Sequence, residues 1–211
     1  MGEKMDFKKE YSDLYLPGKT PAQIQVPPIA FLTVAGQGAP ESAAYQNAVS
    51  VLYAVAFTIK MSKMGGSPPH GYFEYVVPPL EGLWDGDVPG PGANRDGWRW
   101  TSLLRQPAFV TPALAEWART QAARKKPQLD FSPLRFETYE EGLCVQAMHT
   151  GPYSTEPETL ENMRRFCAQN NLAEDLGPGR LHHEIYISDP RRTAPEKLKT
   201  VLRHPVRSMV P

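Results

Sequence analysis

The chain has 211 residues, with 22 prolines and 16 glycines, against a usual share of about 12% for the two together. Its 23 Lys+Arg balance 23 Asp+Glu, and a neutral chain without a basic cluster is a poor nucleic-acid binder, because phosphate neutralisation supplies most of that affinity. An apolar share of 41% excludes a wholly disordered chain, and aperiodic Pro and Gly exclude a collagen-like one.

The first residues, Met1 to Asp6, lack an apolar signal region, so the expectation is a soluble, cytoplasmic protein. Residues 1–22 read as an N-terminal extension. A strand-like run from Ile29 to Val34 follows, then a turn at Gly36-Gln37-Gly38. From Glu41 to Met64 the residues Tyr45, Ala48, Leu52, Val55, Ala56 and Ile59 recur at helical spacing. Gly65-Gly66 ends that helix. Its longest apolar run, Val49 to Ile59, includes Ser50 and Thr58 and is too short to span a bilayer. A β-prone run, Phe73 to Val77, stops at Pro78-Pro79. The Gly/Pro-dense stretch from Trp84 to Asp96 reads as an exposed loop between strands.

Thr111-Pro112 opens a helix that buries Leu114, Trp117 and Ala118 and ends before Pro127. A strand from Leu143 to Met148, the turn Gly151-Pro152 and a helix from Glu156 to Asn170 follow. Thr155 and Glu158 have capping-box spacing. Leu160, Met163, Phe166 and Cys167 form its buried stripe. Cys144 and Cys167 are two reduced core thiols. The last strands are Leu181 to Ile187 and the run ending at Pro205.

These elements repeat. Ser102-Leu103-Leu104-Arg105-Gln106-Pro107 parallels Thr200-Val201-Leu202-Arg203-His204-Pro205, and Phe73-Glu74-Tyr75-Val76-Val77 parallels His183-Glu184-Ile185-Tyr186-Ile187. The order strand, helix, strand, strand occurs twice, at about 23–110 and 133–207, joined by a connector helix at 111–126. The expected fold is α+β: a tandem pseudo-twofold repeat forming an antiparallel sheet, with helices on one face and a ligand cleft.

Hydrolase, nucleotide and zinc-protease motifs are absent. His182-His183 are adjacent on a strand, point to opposite faces and cannot ligate one ion together. No metal or other cofactor is expected. Glu184 sits in an apolar strand, where a carboxylate is costly unless paired or functional. If Ile185 and Ile187 face the helices, Glu184 and Tyr186 share the opposite face. Glu184 is then either a rim carboxylate paired with an arginine such as Arg203, or a pocket carboxylate among aromatics, a cation site or general base. Glu74 is its repeat counterpart and shares a face with Tyr72. Trp98 and Trp100 share a face and offer a stacking surface. Trp84, Tyr139, Tyr153 and His149 lie in or beside strands and turns that line pockets.

Tyr75-Val76-Val77-Pro78-Pro79-Leu80-Glu81-Gly82-Leu83-Trp84 resembles a motif of the GyrI-like small-molecule-binding proteins. So do the segments from Glu141 to Tyr153 and from His182 to Arg192, and the resemblance runs from about Gln23 to Arg207. It implies one domain over 23–207, with a cleft for flat aromatic, often cationic, small molecules. The same module serves as the effector-binding domain of multidrug-sensing regulators. The resemblance places Glu184 in the pocket as its central carboxylate. A subgroup implies hydrolysis of cyclopropane-bearing DNA-alkylating compounds, using a glutamate and a tryptophan, here Glu184 with Trp100 or Trp84. Tyr153 or Tyr186 would then donate a hydrogen bond to the oxygen that gains charge. A non-catalytic drug-sequestering protein is the alternative, and modulation of DNA gyrase ranks last. Nucleic-acid and membrane partners are not expected.

Overall fold

The computed structural model describes residues 4–66, 68–85 and 97–209. Strand β1 (Met5–Asp6) leads into two short helical turns, α1 (Phe7–Glu10) and α2 (Ser12–Tyr15), with Asp6 capping α1 by accepting from the Lys8 amide. Strands β2 (Ala22–Val26) and β3 (Ile29–Gln37) follow. The expected turn residue Gly36 lies inside β3, because the Trp100 ring occupies the space its side chain would need: a Cβ there would stand 2.3 Å from Trp100. The chain turns at Gly38, whose φ of 113° suits glycine.

Ser42 caps α3 (Ala43–Lys60), and all six residues of the expected stripe are buried. A 3₁₀ turn and left-handed Gly66 end it. Next come β4 (Tyr75–Val76), β5 (Leu80–Asp85) and β6 (Arg99–Arg105). Among the described residues, strand β4 pairs only with β1, in parallel, outside the main sheet. Pro78-Pro79 follows the end of β4, as expected, and separates it from a central strand, β5. Trp84 and Asp85 belong to β5, and the rest of the expected loop, 86–96, lies outside the described residues.

Helix α4 (Pro112–Lys125) begins as expected, Thr111 accepting from the Leu114 amide at 3.2 Å. It buries Ala115, Ala118 and Ala122, so Trp117 is exposed, a correction set by the rotation of its alanine face. Strands β7 (Leu134–Tyr139) and β8 (Gly142–Thr150) precede α5 (Glu156–Gln169). The capping box is not formed: the Thr155 hydroxyl donates to the Pro152 carbonyl instead, at 2.9 Å. Strands β9 (Leu172–Glu174), β10 (His182–Tyr186) and β11 (Lys199–Ser208) complete the chain.

The main sheet is antiparallel, ordered β2-β8-β11-β10-β5-β6-β3-β7, with β9 also on β11. The runs β3-α3-β5-β6 and β8-α5-β10-β11 lie side by side, with β5 and β10 adjacent at the centre. There Glu184 stands opposite Gly82, and Ile185 opposite Glu81. Helices α3 and α5 cover one face. The N-terminal turns cover the other. The Arg105 guanidinium lies 4.0 Å from the Tyr11 ring centre and 5.0 Å from that of Phe7. Arg203 donates to the Leu14 carbonyl at 2.8 Å, and Gln146 to that of Asp13 at 2.6 Å. Among the described residues, no helix is long and apolar enough to cross a membrane.

Candidate functional site

Strand alternation splits β10 between the two faces. Ile185 faces the N-terminal layer, while Glu184 and Tyr186 face α3 and α5. This reverses the expected orientation: the second face is filled by residues 5–16, so the open space lies between the helices. That space is a cleft of about 1330 Å³. Its floor comes from β5 and β10, one wall from α3 (Tyr45, Val49, Tyr53) and the other from the turn into α5 (Tyr153, Glu156).

The floor and walls are aromatic. The Trp84 indole N–H donates to the Tyr186 hydroxyl at 3.2 Å. Tyr45 stacks on Trp84 at 6.0 Å between ring centres, and Trp98 meets Trp84 edge-on at 5.7 Å. Tyr153 meets Tyr186 edge-on at 6.2 Å. Gly82 makes room for this group: a Cβ there would stand 3.0 Å from the Tyr186 hydroxyl. Burial, then the nearby Glu184 charge, pushes the Tyr153 phenol up to about 12 and the Tyr186 phenol well above its usual range. Both therefore stay protonated and able to donate.

Two carboxyl groups line this apolar space. Glu184 is 8% exposed, and its Oε1 lies 3.1 Å from His182 Nε2. Glu156, the first residue of α5, is 2% exposed, and its Oε1 has no hydrogen-bond partner among the described residues. A helix N-terminus ordinarily favours a negative charge. Here burial, then repulsion from Glu184, outweighs it and raises the Glu156 pKa far above the carboxylate range. Glu156 is a neutral acid at pH 7.

The expected site residues separate into two groups. Glu184, Tyr186, Tyr153, Trp84 and Trp98 line the cleft. Trp100 lies behind it, 3% exposed, donating to the Gly38 carbonyl at 3.0 Å and meeting Tyr45 edge-on at 4.9 Å. It supports the α3 wall. Tyr72 donates to the Lys60 carbonyl at 2.8 Å, and Glu74 pairs with Lys63, both by the far end of α3. Glu74 is not the positional counterpart of Glu184, since β4 lies outside the main sheet. Tyr139 donates to the Gly179 carbonyl at 3.3 Å. His149 binds Thr159 at 2.9 Å and the Pro152 carbonyl at 3.2 Å, holding the turn that presents Tyr153. Arg203 is on the other face, 2.8 Å from Glu141, so it does not pair with Glu184.

Sequence reasoning missed Glu156, Tyr45 and Tyr53. A glutamate at a helix start reads as a solvated end, and a tyrosine on an apolar stripe reads as core. Among the described residues, no group of three or more His, Cys, Asp or Glu side chains is arranged to hold a metal ion.

The fold and the cleft define an α+β small-molecule-binding domain, one sheet with an aromatic-walled, acid-bearing cavity between two helices. A family model described as the GyrI-like small molecule binding domain matches residues 115–207. The crystal structure of a hydrolase from Listeria innocua is 50% identical, with a TM-score of 0.89 over 97% of this chain and 100% of that one. A second structure described as a hydrolase of that organism is 49% identical, with a TM-score of 0.91 and the same coverage. The C-terminal domain of EcmrR shares the fold at 11% identity, with a TM-score of 0.53 over 89% of this chain and 97% of that one. No protein of curated function matches the chain. The chain belongs to the GyrI-like small-molecule-binding family.

Proposed function

We propose that the cleft binds flat aromatic compounds and hydrolyses those bearing a strained cyclopropane conjugated to a carbonyl. One observation carries this reading: two carboxyl groups face one aromatic cavity, and burial, then the charge of Glu184, keeps Glu156 protonated. A carboxylic acid kept neutral beside a second carboxyl group can supply the acid of a reaction in which the other is the base.

The reaction is the addition of one water. The water oxygen bonds to a cyclopropane carbon while its proton passes to Glu184. The ring C–C bond breaks, and its electron pair moves through the conjugated system to the carbonyl oxygen. Glu156 gives that oxygen its proton, and Tyr153 or Tyr186 donates a hydrogen bond to it. The product is the substrate plus one water. The Listeria relatives described as hydrolases support a hydrolytic reading. Ring strain belongs to the substrate, so general-base help of about 10²–10⁴-fold suffices.

The test incubates the protein with a cyclopropanoid and follows the water adduct by mass spectrometry. Glu184→Gln should lose about 10²–10⁴-fold in rate while still binding the neutral substrate. It should also bind a cationic planar dye more weakly. Tight binding by the wild type with no turnover above buffer would leave a binder and remove the enzyme.

A further inference from the structure

We propose that Glu184 is connected to the edge of the sheet by a proton relay running through His182 and His204 to Glu174. The contacts are continuous. Glu184 Oε1 lies 3.1 Å from His182 Nε2, His182 Nδ1 lies 2.7 Å from His204 Nε2, and His204 Nδ1 lies 2.6 Å from Glu174 Oε1. The two histidines are 2% and 3% exposed, and their rings meet edge-on at 4.9 Å. The Glu174 side chain is 26% exposed. The chain of contacts therefore starts in the cleft, crosses a buried stretch and ends where water reaches.

The proton count constrains these four groups. Each of the three contacts needs one proton between its heavy atoms. Two neutral imidazoles supply one N–H each, and ionised carboxylates supply none. With four groups in those forms, one contact would set two lone pairs against each other. With all three contacts bonded, the relay holds a third proton. In one arrangement Glu184 and both Nδ1 atoms carry the protons and Glu174 is ionised. In another, Glu174 and both Nε2 atoms carry them and Glu184 is ionised. The remaining arrangement puts a cation on the histidine pair, which burial opposes: it is the main force holding the His204 pKa below its ordinary value.

A shift of one proton in each contact converts the first arrangement into the second. The Glu184 O–H proton goes to His182 Nε2, the His182 Nδ1 proton to His204 Nε2, and the His204 Nδ1 proton to Glu174 Oε1. One proton has then passed from the cleft to the edge of the sheet. Groups around the relay are Tyr45, Tyr153, Tyr186 and Glu156 by Glu184, Trp84 across from His182, and Arg164 and Cys167 of α5 by Glu174. In hydrolysis Glu174 would first lose its proton to water and both imidazoles would return to the Nδ1–H form; Glu184 then takes a proton from the attacking water, which restores the first arrangement, and the same shift carries that proton to Glu174. That role rests on the proposed function; the wiring itself does not.

The test follows the Glu184 carboxyl carbon by NMR through a pH titration of the full chain, in the wild type and in Glu174→Gln. The side-chain amide introduced by that substitution can donate to His204 Nδ1. All three contacts then stay satisfied with Glu184 ionised and no third proton present. The Glu184 midpoint should fall by about one pH unit or more, as expected of strongly coupled groups. His204→Gln, which cuts the relay at its centre, should also shift it. Glu116→Gln, an exposed charge change on α4, is the control and should leave the midpoint in place. A Glu184 midpoint indifferent to both relay variants overturns the proposal. In turnover with a cyclopropanoid, Glu174→Gln should lower kcat about tenfold with KM unchanged, and added imidazole should restore it. If the wild type shows no turnover, the hydrolytic reading fails and the titration still decides the relay.

Discussion

Replacing Glu156 with glutamine should stabilise the folded chain at neutral pH, with the gain vanishing in acid. Glu156 keeps its proton when folded, because burial and then the Glu184 charge raise its pKa far above the ordinary 4.5. The unfolded chain releases that proton near 4.5. Below that pH both states are protonated, and burial of the acid carries no ionisation cost. Above it, folding must take up a proton, at about 1.4 kcal/mol for each pH unit. From the unfolded value to pH 7 this reaches a ceiling of about 3 kcal/mol. Glutamine has the shape of the neutral acid and never ionises. Its extra amide hydrogen needs a partner in an apolar place, which takes back about 1 kcal/mol. The expected net gain is about 2 kcal/mol at pH 7, or roughly 4–8 °C in Tm for a chain of this size. Urea unfolding between acid and mildly alkaline pH measures it. A difference that does not grow with pH, or a wild type more stable than the variant in mild alkali, would refute the reasoning. The same variant should lose hydrolysis, which would mark Glu156 as kept for chemistry at the expense of stability.

Gly82→Ala should separate Tyr186 from Trp84, since the new Cβ would stand 3.0 Å from the hydroxyl and 3.1 Å from the indole nitrogen. Affinity for a planar dye, read by fluorescence, should fall about tenfold, equivalent to about 1.4 kcal/mol, and unchanged affinity would show that the cleft floor is not the binding surface. Arg203→Met should cost about 3–5 kcal/mol in urea unfolding, because it leaves the buried Glu141 without its arginine. A loss under about 1 kcal/mol would mean that His183 alone satisfies Glu141.

Much of the helical layer was legible in the sequence. The α3 stripe from Tyr45 to Ile59 and the Thr111-Pro112 start of α4 are local patterns, set by neighbours three or four residues away. Glu184 was legible as an anomaly, a charge in an apolar strand. Its direction was not. Alternation says that Glu184 and Tyr186 share a face, but which face stays open depends on what covers the other. That cover comes from Phe7, Leu14 and Tyr15, whose two short helical turns carry no periodic signal. Trp100 and Trp98 show the same limit. Both point to the helix side, yet Trp100 is sealed beneath Tyr45 and only Trp98 reaches the cleft. The meeting of His182 with His204 depends on register. The repeat aligned Arg203 with Arg105, and nothing in it said that β10 would run beside β11 with His183 opposite Arg203.

The two faces of β10 carry separate duties, and one protects the other. On the side away from the cleft, His183 lies 3.0 Å from both Glu81 and Glu141, and Arg203 lies 2.8 Å from Glu141. Burial opposes the His183 charge, but Glu141 and then Glu81 overcome it and hold its pKa up at about 9. Burial also opposes the Glu141 charge, and His183 and then Arg203 hold that group down at about 2. Both ions are therefore present across the neutral range. A one-residue slip of β10 in the direction that carries Glu184 to the place of His183 would exchange its faces. It would set the Glu184 carboxylate beside Glu81 and Glu141 and place His183 in the aromatic cleft. Three carboxylates in that buried space would repel strongly, with Arg203 touching Glu141 and Arg105 reaching Glu81 only through Tyr15. The ion network therefore opposes the slip that would turn Glu184 away from the cleft. It does so beyond the reach of any ligand, so the aromatic residues around Glu184 can change without loosening the strand that carries it.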